Sequence, residues 1–545
     1  MNGLLQSVRS APRLGVLLLF VTFFSLYAFF AAPGITWSNA AADGAELATV
    51  VRTWGVAHPS GYPTYILFGK VFELVPIGDP AHRLALMSAF FGACAVSVTY
   101  LLGRLFCSLP EKGEVRYTSR TQGGGGFRLA GLSRKFGPIL GAVALGCSPI
   151  FWGQALVPEV YTLNAFFVTV VLWLLLSWLW EPNIHRTAPS RKPLFAAFLF
   201  GLGMGNHFTL AIAVVPVAAV VLWTKRRPMP LPWRSMAGAL LLGLAVYLYL
   251  PIAAAQNPPI NWGDASTASG FLWQVSGNPY RSYVFGVESS IVGDRVVDWF
   301  KQMVDQFQGI GVLLTLIGLW RLWRADRAVT GALALSFIVL SIYATFYLTA
   351  DSYVFLIPSV VIGVLCIALG AQFLLRQAEA LVQDTGRWIA ADAVLASIAF
   401  LLVPGLSLIR FADDYSLRSD VAARNYPQHV FSQAPSDAVI LGDGDQRLFT
   451  LWYQRYVEEP DSERIIVARN LLQFEWYRRT FGERHPELGL QELEGDFQTV
   501  LRGFVERNAG ARPLYTLIYD PLLRGEFTLQ LEGPAYRILP KAAPN

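Results

Sequence analysis

Two carboxylates three residues apart, Asp43 and Glu46, lie in the stretch 41–65, which reads AADGAELATVVRTWGVAHPSGYPTY. On a helix these positions share a face, so both side chains would project into the same volume. One carboxylate could accept a proton from an incoming hydroxyl while the other orients that hydroxyl or binds a second polar group. The alternative is that both are solvated charges at a helix start, where the helix dipole favours an acidic residue such as Asp43.

A rigid turn follows this pair, with the sequence His58-Pro59-Ser60-Gly61-Tyr62-Pro63. Its two prolines fix φ, and the glycine permits backbone angles that other residues avoid. One interpretation is a structural corner with an incidental histidine. The other is that the turn forms a wall of a substrate site and presents the imidazole to it.

More polar side chains occur where apolar segments end. Each of them alone would be typical of an ordinary loop. Together, on one face of a membrane, they would build a site for a polar substrate delivered by a lipid. These residues are Glu159 and Tyr161, Asn206 and His207, Asn257, Asn261, Trp262 and Asp264, Tyr280 and Arg281, and Asp351 with Tyr353.

The composition indicates that a membrane holds these residues in place. Of 545 residues, 54% are hydrophobic and only 15% are charged, whereas soluble domains carry about a quarter charged residues. The net charge of +5 comes from basic residues in short clusters between apolar runs, a pattern of cytoplasmic loops and not of a nucleic-acid groove. The four cysteines and six histidines are scattered, so we predict neither a disulfide scaffold nor a metal cage built by the protein.

Apolar runs of about 18 residues or more predict transmembrane helices. One further run, 194–223, is interrupted by GLGMGNH and is best divided into two short spans at Gly205-Asn206-His207. With that division the basic clusters share one side, which predicts about eleven spans and a cytoplasmic N-terminus. The other runs are 12–32, 83–106, 137–157, 161–180, 236–255, 309–323, 330–349, 354–375 and 388–409.

This topology places the first external loop, 33–82, and a second external loop, 256–308, on the periplasmic or lumenal face. A helix over Asn39 to Trp54 would be amphipathic, which is typical of a helix lying along the membrane surface. Because broken helices at membrane depth need cover for their backbone, the break at Gly205-Asn206-His207 should line a site.

The chain after the last span changes character. We predict a transmembrane domain over 1–409 and an external α/β domain over 410–545, because short apolar runs such as AVILGDGD alternate with helical stretches such as RLFTLWYQRYVEE. Gly442-Asp443-Gly444-Asp445 follows a predicted strand but lacks the G-x-G-x-x-G spacing. A turn is therefore the better interpretation than a nucleotide loop.

Six strings in this order resemble the protein O-mannosyltransferase-like membrane family, which is grouped with the GT-C glycosyltransferases as family 117. One departure is Ser60, where many relatives have a second proline. The resemblance covers nearly the whole chain. The strings are DGAEL with AHPSGYPTY, WGQALVPEVYTLNAF, GLGMGNHFTL, AQNPPINWGDASTASGFLWQVSGNPYR and VILGDGDQRLFTLWYQRYVE.

The resemblance implies a multispan GT-C fold, a polyprenyl-phosphate sugar as donor and inversion at the anomeric carbon. Asp43 matches the acidic catalytic base of the first external loop, and Glu46 is its neighbour. Arg281 is the first candidate to bind the donor phosphate, followed by His58, His207 and Arg52. The candidate substrate-binding residues are Asn206, Glu159, Tyr161, Asn257, Asn261, Trp262, Asp264, Tyr280 and Asp351.

We therefore predict a membrane glycosyltransferase that moves a sugar, with mannose as the first candidate, to a Ser/Thr hydroxyl of a protein or to another external acceptor. The sequence predicts no nucleic-acid partner and leaves the oligomeric state and the need for a divalent metal open. A transporter or lipid flippase is the alternative, since broken helices and midplane polar groups also mark those proteins. A membrane scaffold without activity is a third, and it would not require Asp43.

Overall fold

The computed structural model describes residues 2–109, 132–181, 190–225, 232–382, 394 and 396–541. The loops at 110–131, 182–189 and 226–231, which carry many of the basic residues used to predict the topology, lie outside the described residues.

The described part of the chain is mainly helical, as predicted. Seven of its helices are long and apolar enough to cross a membrane, one bent pair passes the same test, and three apolar helices are shorter. This set corresponds one to one to the predicted spans, and the chain is an integral membrane protein. The helices up to the last span are α1 Asn2–Phe30, α2 Gly44–Thr53, α3 Pro63–Glu73, α4 Pro80–Cys107, α5 Leu132–Gly146, α6 Pro149–Ala155, α7 Tyr161–Leu179, α8 Lys192–Met204, α9 Thr209–Lys225, α10 Trp233–Leu244, α11 Tyr249–Ala254, α12 Ala268–Val275, α13 Val292–Ala325, α14 Arg327–Phe346, α15 Ile357–Val382 and α16 Ala396–Arg410.

Helix α15 lies at the centre of the bundle, where its apolar window is buried over its whole length. Glycines let α13 approach it closely. A Cβ at Gly318 would lie 1.9 Å from the Cys366 carbonyl oxygen, and one at Gly370 would lie 2.1 Å from that of Leu314. In lipid the hydrophobic effect does not drive helices together, so their association depends on van der Waals packing. Small residues at such crossings allow the close backbone contact that this packing needs.

The interrupted apolar run forms two separate helices, α8 and α9, as predicted. The first turn of α3 covers the backbone between them: the Thr64 amide donates to the Gly205 carbonyl oxygen at 3.0 Å, and the Thr64 hydroxyl donates to that of Leu202 at 2.6 Å. The break is thus sealed by the first external loop, because a freed carbonyl away from water must find a donor.

Helix α2 differs from its prediction. It is shorter than Asn39 to Trp54, and all residues from Gly44 to Val51 are buried. It therefore does not lie along the membrane surface. The amphipathic pattern is real, but the face that was expected to meet water or headgroups is covered by other parts of the protein.

The C-terminal part contains the predicted α/β arrangement. Its sheet has the strand order β2-β1-β3-β5-β4, with β1 parallel to β2 and β3 and the last two strands forming an antiparallel hairpin. The hairpin was missed from sequence, and the boundary at residue 410 stays a prediction. The strands are β1 Val439–Gly442, β2 Ile465–Ala468, β3 Leu514–Thr516, β4 Phe527–Glu532 and β5 Ala535–Pro540, and the helices are α17 Ala422–Gln433, α18 Asp445–Tyr453, α19 Glu475–Arg484 and α20 Phe497–Asn508.

Candidate active site

Helix α2 presents the two carboxylates from its first turn. Asp43 is the residue before the helix, and its side chain does not cap the free backbone amides, so the carboxylate is available to other groups. The Glu46 side chain is fully buried, whereas that of Asp43 keeps 33% of its surface exposed. The pair therefore consists of one enclosed acid and one acid open to a substrate.

His58 links these acids. Its backbone amide donates to Glu46 Oε1 at 3.1 Å, and its Nδ1 contacts Glu46 Oε2. Its Nε2 lies 3.5 Å from Asp43 Oδ2 and 3.1 Å from the Tyr62 hydroxyl. The turn after His58 is closed by the Gly61 amide, which donates to the His58 carbonyl oxygen at 2.8 Å. The imidazole is thus fixed between the two carboxylates.

The surroundings raise the pKa values of both Asp43 and His58. Burial raises the pKa of Asp43 to about 7, although His58 works against that shift. Burial by itself would lower the pKa of His58, but Glu46 and Asp43 raise it to about 10. At neutral pH His58 is therefore a cation, and Asp43 can both release and accept a proton.

Aromatic rings enclose the imidazole. Phe449 stacks on it with an interplanar angle of 11° and a centroid distance of 6.4 Å. Trp262 and Tyr280 approach it edge-on, at 6.2 and 6.1 Å. These rings come from the C-terminal part and from the second external loop, so three distant parts of the chain meet at His58.

The Pro158–Tyr161 segment packs beside the start of α2, where a Cβ on Gly44 would lie 2.7 Å from Pro158 Cγ. Glu159 is buried, and its Oε1 has no hydrogen-bond partner within the described residues. Burial and the charge of Asp43 raise the pKa of Glu159, and Asp351 adds to that effect. The structure thus brings Glu159 and Asp351 towards Asp43.

The residues at the break between α8 and α9 are enclosed. The Asn206 amide donates to the Val160 carbonyl oxygen at 3.0 Å, and His207 Nδ1 lies 2.8 Å from the Thr209 hydroxyl. Burial lowers the pKa of His207 to about 3. This shift favours the neutral imidazole, whose ring packs 5.4 Å from that of Tyr161, and a role of His207 in binding the donor phosphate stays a prediction.

The two arginine candidates lie in different places. Arg281 is exposed and follows Tyr280, which contacts His58. Arg52 pairs with Glu73 at 3.7 Å, at the opposite end of α3 from Tyr62. Because an eleven-residue helix spans roughly 15 Å, Arg52 lies far from the cluster around His58, and its role in donor binding stays a prediction.

The NPPINWGD segment mainly contacts the C-terminal part of the protein. Asp264 accepts hydrogen bonds from Arg479 at 2.6 Å and from Ser266 at 2.6 Å, and the Asn257 amide donates to the Thr480 carbonyl oxygen at 3.1 Å. The Asn261 amide donates to the Ala254 carbonyl oxygen at 3.4 Å. Asp264 and Asn257 thus bind α19, whereas Asn261 bonds within its own segment, and the Oδ1 atoms of Asn257 and Asn261 have no hydrogen-bond partner among the described residues. Trp262 of this segment packs against His58, and the binding of sugar hydroxyls by this segment stays a prediction.

We expect Arg479→Ala to loosen this docking by about 1–3 kcal/mol, because it leaves the buried Asp264 carboxylate without its charged donor. The measurement is limited proteolysis of the purified protein together with its thermal unfolding. Asp264→Asn combined with Arg479→Ala should cost clearly less than the sum of the single changes. Strictly additive losses would show that the pair does not hold the two parts together.

Sequence reasoning missed Asp445 and Phe449 as site residues. Asp445 begins α18 directly after β1, and Phe449 is one turn further along. The available signal was the Gly442-Asp443-Gly444-Asp445 string, which ends β1, bends at Gly444 and begins α18. Within the described ranges no three His, Cys, Asp or Glu side chains are grouped to hold a metal ion.

The predicted family resemblance is confirmed by comparison with known proteins. Residues 43–230 match the family model of the protein O-mannosyl-transferase TMEM260 N-terminal domain. The chain is 25% identical over 464 residues to protein O-mannosyl-transferase TMEM260 of Mus musculus, covering 80% of this chain and 60% of that protein. It is 22% identical over 554 residues to the Dictyostelium discoideum protein of the same name, covering 92% and 63%. The chain thus spans less than two thirds of the length of these relatives.

Solved structures support the fold. The crystal structure of ArnT from Cupriavidus metallidurans bound to undecaprenyl phosphate superposes with a TM-score of 0.58 at 12% identity, covering 96% of this chain and 97% of ArnT. Its apo form gives a TM-score of 0.55 at 12% identity, covering 96% and 98%. The likeness identifies the fold as that of GT-C membrane enzymes, as the resemblance implied.

Proposed function

We propose that this protein is an inverting glycosyltransferase that moves a hexose, with mannose as the first candidate, from a polyprenyl phosphate to a Ser/Thr hydroxyl of an external protein. The N-terminus then lies in the cytoplasm and the Asp43 site on the outer face. The observation that carries the proposal is the partly exposed Asp43 carboxylate, held beside His58 with a pKa of about 7. A general base works best when its pKa lies near the operating pH.

In the proposed reaction Asp43 accepts the proton of the acceptor hydroxyl while that oxygen attacks the anomeric carbon from the face opposite the phosphate. The new carbon–oxygen bond forms as the bond between the anomeric carbon and the phosphate oxygen breaks. The polyprenyl phosphate leaves with the electron pair, and the anomeric configuration inverts. Glu46 holds His58, and the His58 cation orients the Asp43 carboxylate without receiving the proton itself.

The donor and sugar classes rest on two supports. A polyprenyl phosphate occupies ArnT, whose fold is similar, and the two relatives are named O-mannosyl-transferases. The leaving phosphate needs a cation, since charge-assisted hydrogen bonds to phosphate are strong. Arg281 fits this role because it is exposed beside Tyr280. His58 suits it less well, because both of its ring nitrogens already face acidic or phenolic oxygens.

Purified protein in nanodiscs, given radiolabelled polyprenyl-phosphate mannose and Ser/Thr-containing peptides, tests the proposal. We expect label to move to the peptide in a form that resists mild acid. A mannosidase that cleaves only the anomer produced by inversion of the donor linkage should release it. Peptide labelling with no lipid-linked sugar present would contradict the donor. Movement of the lipid-linked sugar across liposomes without peptide labelling would instead support a flippase.

The pH dependence of transfer follows from the two shifted groups. We expect kcat/KM to rise as pH increases through about 7, when Asp43 loses its proton, and to fall near pH 10, when His58 loses its charge. The measurement is the initial transfer rate between pH 5 and pH 10.5 with saturating lipid donor. If kcat/KM instead rose around pH 4, the base would be an ordinary solvated carboxylate and not Asp43 beside His58.

A further inference from the structure

Helix α18 brings a second acidic side chain to the same cluster. Phe449 stacks on His58, and Asp445 lies four residues earlier on the same helix. Positions i and i+4 share one helix face, so Asp445 lies on the side of α18 that is turned to His58. Unlike the buried Phe449, Asp445 is exposed and therefore accessible to a ligand.

Contacts on both ends of α18 fix this position. The Trp37 indole donates to the Gln446 carbonyl oxygen at 3.1 Å, and the Tyr453 hydroxyl donates to Asp79 Oδ1 at 2.6 Å. Trp37 and Asp79 belong to the first external loop, which also carries Asp43. Asp445 is thus held against the membrane part of the protein and is not a freely moving surface charge.

The surroundings of Asp445 are strongly acidic. The protein atoms packed around its inner side desolvate the carboxyl group and raise its pKa although the side chain as a whole is exposed; His58 opposes that shift, and Glu46 and Asp351 add to it. Near Asp43, Glu159 is 2% exposed, and its Oε1 has no hydrogen-bond partner among the described residues. A buried acceptor without a partner is costly, which indicates that a ligand with hydrogen-bond donors completes this region.

The phosphate of the donor is an unfavourable ligand for Asp445, which forms no ion pair with an Arg or Lys among the described residues to offset the repulsion, as Arg281 would at the proposed phosphate site. A polyprenyl phosphate is itself an anion anchored in the bilayer, and like charges at short distance repel. Asp445 belongs to the α/β part that follows the last span, and in the proposed topology this part lies outside the bilayer, whereas the polyprenyl chain of the donor lies within it. The remaining reactant is the acceptor.

We propose that Asp445 is a specificity-determining residue that selects acceptor segments carrying Lys or Arg next to the modified Ser/Thr over segments carrying Asp or Glu. This inference rests on the proposed function. The carboxylate offers a charged hydrogen-bond acceptor to a basic side chain and repels an acidic one. Because Asp445 is exposed, we expect a preference of about fivefold to tenfold for the basic acceptor.

The experiment compares two peptides that differ only by Lys or Glu beside one acceptor threonine. With the wild-type protein we expect a lower KM for the Lys peptide and similar kcat values. Asp445→Asn should abolish the preference, and Asp445→Lys should reverse it, with the KM for the lipid donor unchanged. The matched control is Asp461→Lys. Asp461 is an exposed acidic residue that precedes β2, so it lies at the end of the parallel strands opposite to Asp445. This variant should keep the wild-type preference.

Two results would overturn the role of Asp445 and leave the proposed function standing. They are equal use of both peptides by the wild type and an unchanged preference in Asp445→Asn. A second readout needs no turnover: fluorescence anisotropy measures peptide binding with unlabelled polyprenyl phosphate present. We expect the ratio of the Kd values for the Glu and Lys peptides to match the ratio of their KM values. If neither peptide is modified under any condition, the proposed function itself fails, and the acceptor inference fails with it.

Discussion

Asp43→Asn is expected to lower kcat/KM for sugar transfer by about 10²–10⁴-fold, the usual contribution of a positioned general base. Asparagine has nearly the same shape but cannot accept the hydroxyl proton. Its effect on folding should be small, because His58 keeps its closer contact with Glu46. The measurement is single-turnover transfer from labelled lipid donor, together with donor binding, which we expect to change by less than about threefold.

The control for this experiment is Glu73→Gln. Glu73 is an acid of the same external loop, but it pairs with Lys70 at 2.8 Å and with Arg52, away from His58. We expect its transfer rate to stay within about twofold of the wild type, since Glu73 pairs with Lys70 and Arg52 and has no ion pair with His58. Full activity in Asp43→Asn would rule out Asp43 as the base.

Glu46→Gln is expected to destabilise the protein by about 3–5 kcal/mol at pH 6, because it removes the buried charge that neutralises the His58 cation. It should also lower transfer by at least about tenfold, since His58 then loses the contact that fixes its orientation. Thermal unfolding in detergent and the transfer rate measure the two effects. Asp298→Asn is the control, because Asp298 pairs with Lys301 at 3.0 Å with both side chains well exposed.

The loss of stability in Glu46→Gln should depend on pH in a defined direction. The pKa of His58 is raised from 6.5 to about 10 in the folded protein, so the folded state binds this proton more tightly than the unfolded state does. The resulting stabilisation is fully present below about pH 6.5 and is lost as pH rises through about 10. The difference between wild type and variant should therefore shrink from pH 6 to pH 10, and a constant difference would contradict the charged state of His58.

Local patterns were sufficient to predict the membrane helices and the Asp43–Glu46 pair. Apolar length determines a span, and a spacing of three on a helix brings two side chains to one face. The division of 194–223 into two helices also followed from local signals, since Gly205-Asn206-His207 breaks the apolar run. These features need no knowledge of which distant segment packs against them.

The features that could not be predicted depend on long-range contacts. The polar atoms of Asp264 looked available for sugar, but Arg479 occupies them. His58 was assigned to the donor phosphate, whereas the structure places it between two carboxylates. Asp445 was assigned to a turn, and only the packing of α18 on the first external loop turns it towards the cluster. For Asp264 and Asp445 the partners lie hundreds of residues away, and for His58 they lie only 12 and 15 residues away but on the other side of α2 and a turn, so the local spacing alone did not predict these contacts.

The stacking of Phe449 on His58 also has a consequence for the order of biosynthesis. One ring is encoded near the start of the chain and the other after the last span. While the ribosome is still making the C-terminal part, the nascent chain already carries Asp43, but one wall of its pocket does not yet exist. We therefore expect the pocket around His58 to be complete only after α18 has been synthesised and has packed against the segment that carries Asp43.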